Sequence, residues 1–243
     1  LLSGHIGGGN DLARLVSRLT GGTAVITTSS DTLDLVPLDL WAKKQNLIIE
    51  DQDALTKAST KLVNQGCLTV HSTFNILSLP TGLIQVSDSH LADIIIAHDN
   101  PFPKDAILFA PCNLVIGTGC NRGTPSGEFE EALDELLTEL QVSRASIRNL
   151  ASIDKKNDET GLLEFAENNN WHIDFFDKDS INTSTNLEIS FAALKAVGAI
   201  GVAEPAALLS ARSNQLLSRK RKWKNVTMAV AQAPFMLSEL VQD

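Results

Sequence analysis

Apolar residues recur along this chain with two different periods, and the periods alternate. Leu12, Leu15, Val16 and Leu19 are spaced by three and four after the capping pair Asn10-Asp11, which predicts a helix that Gly21-Gly22 end. Short apolar runs at Ala24–Thr27 and Leu47–Ile49 read as strands around a helix at Leu38–Gln45. From Asp51 onward a helix is expected over Asp53–Asn64. Short strands are expected at Cys67–His71, Leu83–Val86 and Ile94–Ala97, separated by Pro, Gly, Ser and Asp. Asn100-Pro-Phe-Pro-Lys is turn-rich and reads as a boundary or linker.

Beyond it the signal strengthens. Leu114–Ile116 feeds a glycine turn. Phe129, Leu133, Leu136, Leu137 and Leu140 share one face of a helix over Ser126–Leu140. Ile147–Ile153 and His172–Phe176 read as strands around a helix at Glu159–Asn168. Phe191–Val197 and Glu204–Ala211 look helical, and Val226–Ala231 is a closing apolar strand. The pattern implies an α/β fold of two to three lobes, with mostly parallel or mixed sheets flanked by helices. Three segments follow: 1–50 as the remainder of an N-terminal α/β domain, 51–112 as a central domain or linker region, and 113–243 as a C-terminal α/β domain.

Composition narrows the class. Of 243 residues, 43% are hydrophobic and 20% charged, as in a globular protein. No apolar run approaches the roughly 18 residues of a membrane span, so no membrane partner is expected. The chain opens at Leu1 inside a glycine motif, without signal-peptide features, and is expected to start partway into a longer protein. A formal charge of −9, 5% aromatics and no Tyr argue against nucleic acid as a partner. The exception is the basic run Arg219-Lys220-Arg221-Lys222-Trp223-Lys224, whose plain reading is a solvated hairpin turn. Cys67, Cys112 and Cys120 are odd in number and form no C-x-x-C pair, which points away from zinc and disulfides and toward a reducing cytoplasm.

Four segments carry candidate chemistry. Ser3-Gly4-His5-Ile6-Gly7-Gly8-Gly9-Asn10 precedes a helix whose free amides favour an anion; it fits neither the dinucleotide fingerprint nor a P-loop. His5 is a candidate base near neutral pH, or a hydrogen-bonded loop residue. Gly117-Thr118-Gly119-Cys120-Asn121-Arg122-Gly123-Thr124 ends a strand and precedes a helix, where open α/β sheets bind ligands. It offers backbone donors, a guanidinium and a hydroxyl to a carboxylate; Cys120 reads as a small packing residue rather than a nucleophile. Ala151–Glu159 again joins strand to helix, with Asp158 or Asn157 as cap and Lys156 projecting over the sheet edge. Glu204, ahead of Pro205 and amid Val202, Ala203 and Ala206, is a candidate acid or base, or a plain first-turn helix charge.

Together, in this order, these segments resemble the CbiG family of cobalamin biosynthesis. Ser3–Gly8 with Thr27-Thr28 resembles the end of its N-terminal domain. Gly117–Thr124, Ala151–Asp154 with Lys156 and Glu159, Val202–Ala207, Lys220 and Val226-Thr227 resemble its C-terminal domain, which is also similar to CobE. The resemblance covers nearly the whole chain and is weakest over 51–111. It implies a hydrolase that opens the ring A lactone of cobalt-precorrin-5A and releases acetaldehyde. The alternative is a non-catalytic corrinoid carrier of the CobE kind. The ligand implied is a cobalt-corrinoid intermediate edged with carboxylates, and neighbouring enzymes of the pathway are the partners to consider. Cobalt would arrive inside the substrate, so no cofactor and no protein metal site are expected. His5 and Glu204 are then the base candidates. Ser3, Gly4, Gly7, Gly8, Asn10, Gly117, Gly119, Cys120, Arg122, Gly123, Thr124, Asp154, Lys156, Glu159, Lys220 and Thr227 are candidates for holding substrate, with Arg122, Lys156 and Lys220 as a cationic focus on an acidic chain.

Overall fold

A computed structural model describes residues 9–23, 35–98, 105–183, 194 and 198–238, excepting the side chains of residues 9–11 and 14. The expected strand at Ala24–Thr27, the Asn100–Lys104 linker and most of the helix at Phe191–Val197 lie outside these residues. The chain divides into two compact units, Leu1–Pro111 with Phe235–Asp243, and Cys112–Pro234. Each is a five-stranded mixed sheet flanked by helices. No helix among the described residues is long and apolar enough to cross a membrane.

The first unit contains α1 (Gly9–Thr20), α2 (Leu38–Lys44), β1 (Leu47–Ile48), α3 (Gln52–Gln65), β2 (Leu68–Ser72), β3 (Leu83–Gln85), β4 (Ile94–Ile96) and β5 (Ile107–Pro111). Its strand order is β1-β5-β4-β2-β3. β2 to β5 run parallel, and β1 pairs antiparallel with β5. β1, from the first sequence segment, thus shares a sheet with strands of the second. The local chemistry explains α3. The Asp51 carboxylate accepts from the Ala54 amide at 2.8 Å, and Gly66 ends the helix at φ 77°, a left-handed conformation that costs glycine little. Leu55, Ala58 and Leu62 bury its inner face against Leu68, Val70, Ile94 and Phe109.

The second unit contains β6 (Leu114–Cys120), α4 (Ser126–Leu140), β7 (Ile147–Ile153), α5 (Thr160–Asn168), β8 (Ile173–Phe176), α6 (Lys178–Asn182), α7 (Ala203–Ala211), β9 (Leu216–Lys222) and β10 (Val226–Gln232). Strand order is β8-β7-β6-β10-β9. β6, β7 and β8 are parallel, whereas β10 is antiparallel to β6 and β9. The two-residue alternation of a strand sends Leu114 and Ile116 toward Phe129, Leu133, Leu136 and Phe165 of α4 and α5. It sends Val115, with Ala151 and Ala231, toward Ala206, Ala207 and Ala211 of α7. Small residues let α7 approach closely: a Cβ on Gly117 would lie 1.8 Å from the Ala203 carbonyl oxygen.

β9 corrects one expectation. Arg219–Lys222 is strand rather than turn, and the turn proper lies at residues 223–225. An edge strand pairs on one side only and exposes much of its length, so it needs no apolar alternation and tolerates a basic run.

Candidate functional site

Parallel β6, β7 and β8 end at one edge of their sheet, and antiparallel β10 begins there, Val226 pairing with Cys120. Segments that follow successive strands therefore gather at this carboxyl edge, where open α/β sheets hold ligands. Lys156 lies in the 3-10 turn Asp154–Lys156 directly after β7, and Glu204 opens α7 beside the carboxyl half of β6.

The turn after β6 is built around one buried carboxylate. Gly123, at φ 72°, donates its amide to Glu159 Oε1 at 2.5 Å. Lys156 Nζ donates to Glu159 Oε2 at 3.0 Å. Both side chains are buried, with Lys156 at 8% and Glu159 at 4% exposure. Arg122 donates to Asp158 Oδ1 at 2.6 Å and to the Lys155 carbonyl at 3.2 Å, and stands 3.5 Å from Glu159 Oε2. The Thr124 hydroxyl donates to the Asn121 carbonyl at 2.8 Å. α5 closes on the same turn: a Cβ on Gly161 would lie 2.0 Å from the Thr124 carbonyl oxygen.

These contacts set the proton affinities. Burial alone would raise the Glu159 carboxyl, but the Gly123 amide and the Lys156 ammonium outweigh it and hold the group below the usual carboxylate range. Hydrogen bonding within the Arg122–Asp158 pair raises the guanidinium and lowers the exposed Asp158 carboxyl. Burial pushes the Cys120 thiol up, even though the Lys156 ammonium hydrogen-bonds it. A thiol held protonated is a poor nucleophile, in line with Cys120 as a packing residue.

The second cluster is on β9 and α7. Glu204, 4% exposed, accepts from the Lys220 backbone amide through Oε1 at 2.9 Å. The β9–β10 pairing shifts register between Met228 and Val230, opposite this point. A bulge frees an amide from the ladder, and Glu204 takes it up. Thr227 pairs with Gly119 on one side and Lys222 on the other.

The structure therefore brings together Gly119, Cys120, Arg122, Gly123, Thr124, Lys156 and Glu159 in one cluster, with Lys220 and Thr227 in the neighbouring strands and Glu204 in the first turn of α7. Gly117 lies mid-strand under α7, and Asp154 is exposed at the start of its turn. Ser3, Gly4, His5, Gly7 and Gly8 lie outside the described residues; Asn10 falls in the first turn of α1. Two local expectations change. Lys156 does not project over the edge but turns inward to Glu159, because a buried carboxylate needs a counter-charge. Asp158 does not cap α5, where Glu159 is the N-cap residue without a side-chain cap bond; Asp158 holds Arg122 instead. Asn121 and Asn225 had no signal in the sequence. They join the glycine turn to the β9–β10 hairpin by Asn121 N to Asn225 O and Asn121 Nδ2 to Asn225 Oδ1, both 2.9 Å.

Comparison with known proteins reads the same regions. The family model described as cobalamin synthesis G C-terminus matches residues 114–231, and the cobalamin synthesis G N-terminal model matches residues 1–31. A protein of Priestia megaterium named cobalt-precorrin-5A hydrolase is 32% identical over 97% of this chain and 68% of its own. A protein of the same name from Salmonella typhimurium is 27% identical over 96% of this chain and 70% of its own. Protein CobE of a Sinorhizobium species is 31% identical over 50% of this chain and 81% of its own. With both models in family order and a relative 32% identical that aligns with 97% of this chain and 68% of its own length, the chain belongs to the cobalamin synthesis G family, CbiG.

Proposed function

We propose that this chain is a cobalt-precorrin-5A hydrolase: water opens the ring A lactone to a carboxylate and an alcohol, the alcohol gives up its proton as its C–O bond becomes C=O, and the C–C bond to the macrocycle breaks with its electron pair left on the ring, giving acetaldehyde and cobalt-precorrin-5B. The observation that supports the reading most is the carboxyl-edge cluster around Glu159, lying within the C-terminal region shared with relatives of that name. Cobalt enters and leaves as part of the substrate, so the chemistry asked of the protein is acid–base and electrostatic.

A water attacking a lactone carbonyl must lose a proton, and the oxygen that leaves must be stabilised. His5 suits the first task, since an imidazole changes charge near neutral pH. Glu204 is half committed by the Lys220 amide, so in this reading it fastens β9 and only Oε2 remains for proton traffic. The Glu159–Lys156 pair fixes the turn that carries Arg122, Gly123 and Thr124, and a fixed donor array costs no reorganisation during reaction. Arg122, exposed at the rim, is the group of this cluster best placed to meet a substrate carboxylate.

The test is incubation of the protein with cobalt-precorrin-5A and measurement of acetaldehyde. Release of one equivalent per ring opened is expected. The CobE likeness supports a second reading, a corrinoid carrier, which predicts binding of the intermediate with no acetaldehyde at all.

A further inference from the structure

The carboxyl-edge cluster is electrically balanced. Arg122 and Lys156 face Asp158 and Glu159, so two cations meet two carboxylates. It offers no surplus positive charge to a polyanion, and the whole chain stands at −9. A substrate rimmed with carboxylates needs a local positive field from elsewhere.

The β9–β10 hairpin supplies one. Five of the chain's 20 Lys and Arg residues fall within Arg219–Lys224. Arg221 is spent on Glu139 of α4. Lys222 and Lys224 are exposed, and among the described residues neither has a carboxylate within ion-pair distance. Their position is fixed. Trp223 Nε1 donates to Glu135 at 2.6 Å, and Asn225 Nδ2 donates to Glu128 Oε2 at 2.9 Å and Oε1 at 3.1 Å. The two Asn121–Asn225 bonds tie the hairpin tip to the turn after β6. Lys222 pairs with Thr227, and Thr227 with Gly119, so all three stand on the same face. Two strand spacings separate Lys222 from Gly119, roughly 10 Å between Cα atoms, and a lysine side chain spans much of that.

We infer that Lys222 and Lys224 form an anion-docking rim of this site and bind peripheral carboxylates of a polycarboxylate tetrapyrrole. The choice of ligand rests on the proposed hydrolase reading; the rim itself rests on its position and charge. The competing explanation is protection of an edge strand from pairing with another chain, for which lysines are well suited. The two differ in ligand affinity.

The probe is a porphyrin bearing eight carboxylates, titrated by absorbance at several salt concentrations into the wild type, Lys222→Gln/Lys224→Gln, each single variant, and Lys57→Gln, an exposed lysine of α3. Two partly exposed charge contacts are together worth roughly a tenfold change in Kd, and their loss flattens the salt dependence. The double variant is expected to bind about tenfold more weakly, each single variant less so, and Lys57→Gln as wild type. If the double variant aggregates, the single variants carry the test. Wild-type Kd and salt slope in the Lys222 and Lys224 variants, or no binding by wild type, overturns the rim. Parallel acetaldehyde measurement with cobalt-precorrin-5A separates the two readings, since porphyrin binding that depends on the rim, without acetaldehyde release from cobalt-precorrin-5A, sinks only the hydrolase.

Discussion

At the carboxyl edge of the first unit's parallel strands the chain places aromatic rings. Phe74, just after β2, stands edge-on to His98 at 5.0 Å and to Phe235 at 5.2 Å. At the corresponding edge of the second unit it places a buried lysine, a buried carboxylate and a glycine amide. The Lys61–Asp93 ion pair of the first unit is partly open to water, with side chains 43% and 23% exposed. The two edges face the same topological task, yet among the described residues the buried ion pair lies at the second. An aromatic edge is stabilised by area removed from water and by the edge-to-face contacts of its rings. A buried ion pair must first overcome desolvation, and so adds little stability over an apolar packing of equal volume. Its return is geometric: it fixes where the 120–124 turn and its donors stand. The difference teaches that the second unit's edge uses buried charge to set the geometry of a turn, where the first unit's edge packs rings.

The largest effect that can break this comparison is catalytic. His5→Ala is expected to lower kcat by about 10²–10⁴ in the acetaldehyde assay. Glu204→Gln keeps an acceptor for the Lys220 amide and is expected to leave kcat within a few-fold. A kcat loss in Glu204→Gln equal to that in His5→Ala would move the base to the second unit's edge.

Next is the buried pair. Lys156→Met takes away the buried counter-charge of Glu159, leaving the Gly123 amide and the exposed Arg122 at 3.5 Å, and is expected to cost about 3 kcal/mol in denaturant unfolding of the second unit. Lys61→Met in the first unit removes a partly exposed pair and should cost about 1 kcal/mol or less. Equal costs would erase the distinction between the edges.

Close approach of α7 gives a smaller effect. Gly117→Ala forces a methyl into the Ala203 carbonyl and is expected to cost about 1–3 kcal/mol. Gly127→Ala, in α4 with nothing within 4 Å of the new methyl, should stabilise by up to about 1 kcal/mol. Thermal melting of both variants checks the pair.

The smallest effect is a difference in acid sensitivity. Folded Glu159 lies below its ordinary value of 4.5, so the unfolded chain binds the proton first as pH falls. Its contribution is whole above about 4.5 and is lost as pH drops through the lower folded value. Asp93 is likewise lowered, from an ordinary 3.8, where the Lys61 and Thr69 hydrogen bonds outweigh burial. Amide exchange over pH 3–5 is therefore expected to show the second unit loosening at a higher pH than the first.

The sequence by itself determined the layering. Ser126–Leu140 and Ile147–Ile153 have the bounds that the sequence predicts, because a helical period of 3.6 and a short strand-length segment between two helices are local signals. It also marked Gly117–Thr124, Lys156, Glu159 and Glu204 as residues to watch, since strand-to-helix turns with glycine are legible one at a time. What it could not state was the partner of each charge. Lys156 and Arg122 read as cations offered to a ligand, and folding gave both to carboxylates of the segment after β7. Glu204 read as a candidate acid or base or a plain first-turn helix charge, and folding gave it an amide freed by a bulge 16 residues away. Arg219–Lys222 read as a turn, and became an edge strand because β10 provided a partner. Apart from Lys156–Glu159, three residues apart, these outcomes depend on pairing between segments distant in sequence. Pairing follows from strand order and from the need of every buried polar group for a partner, and both are properties of the assembled sheet.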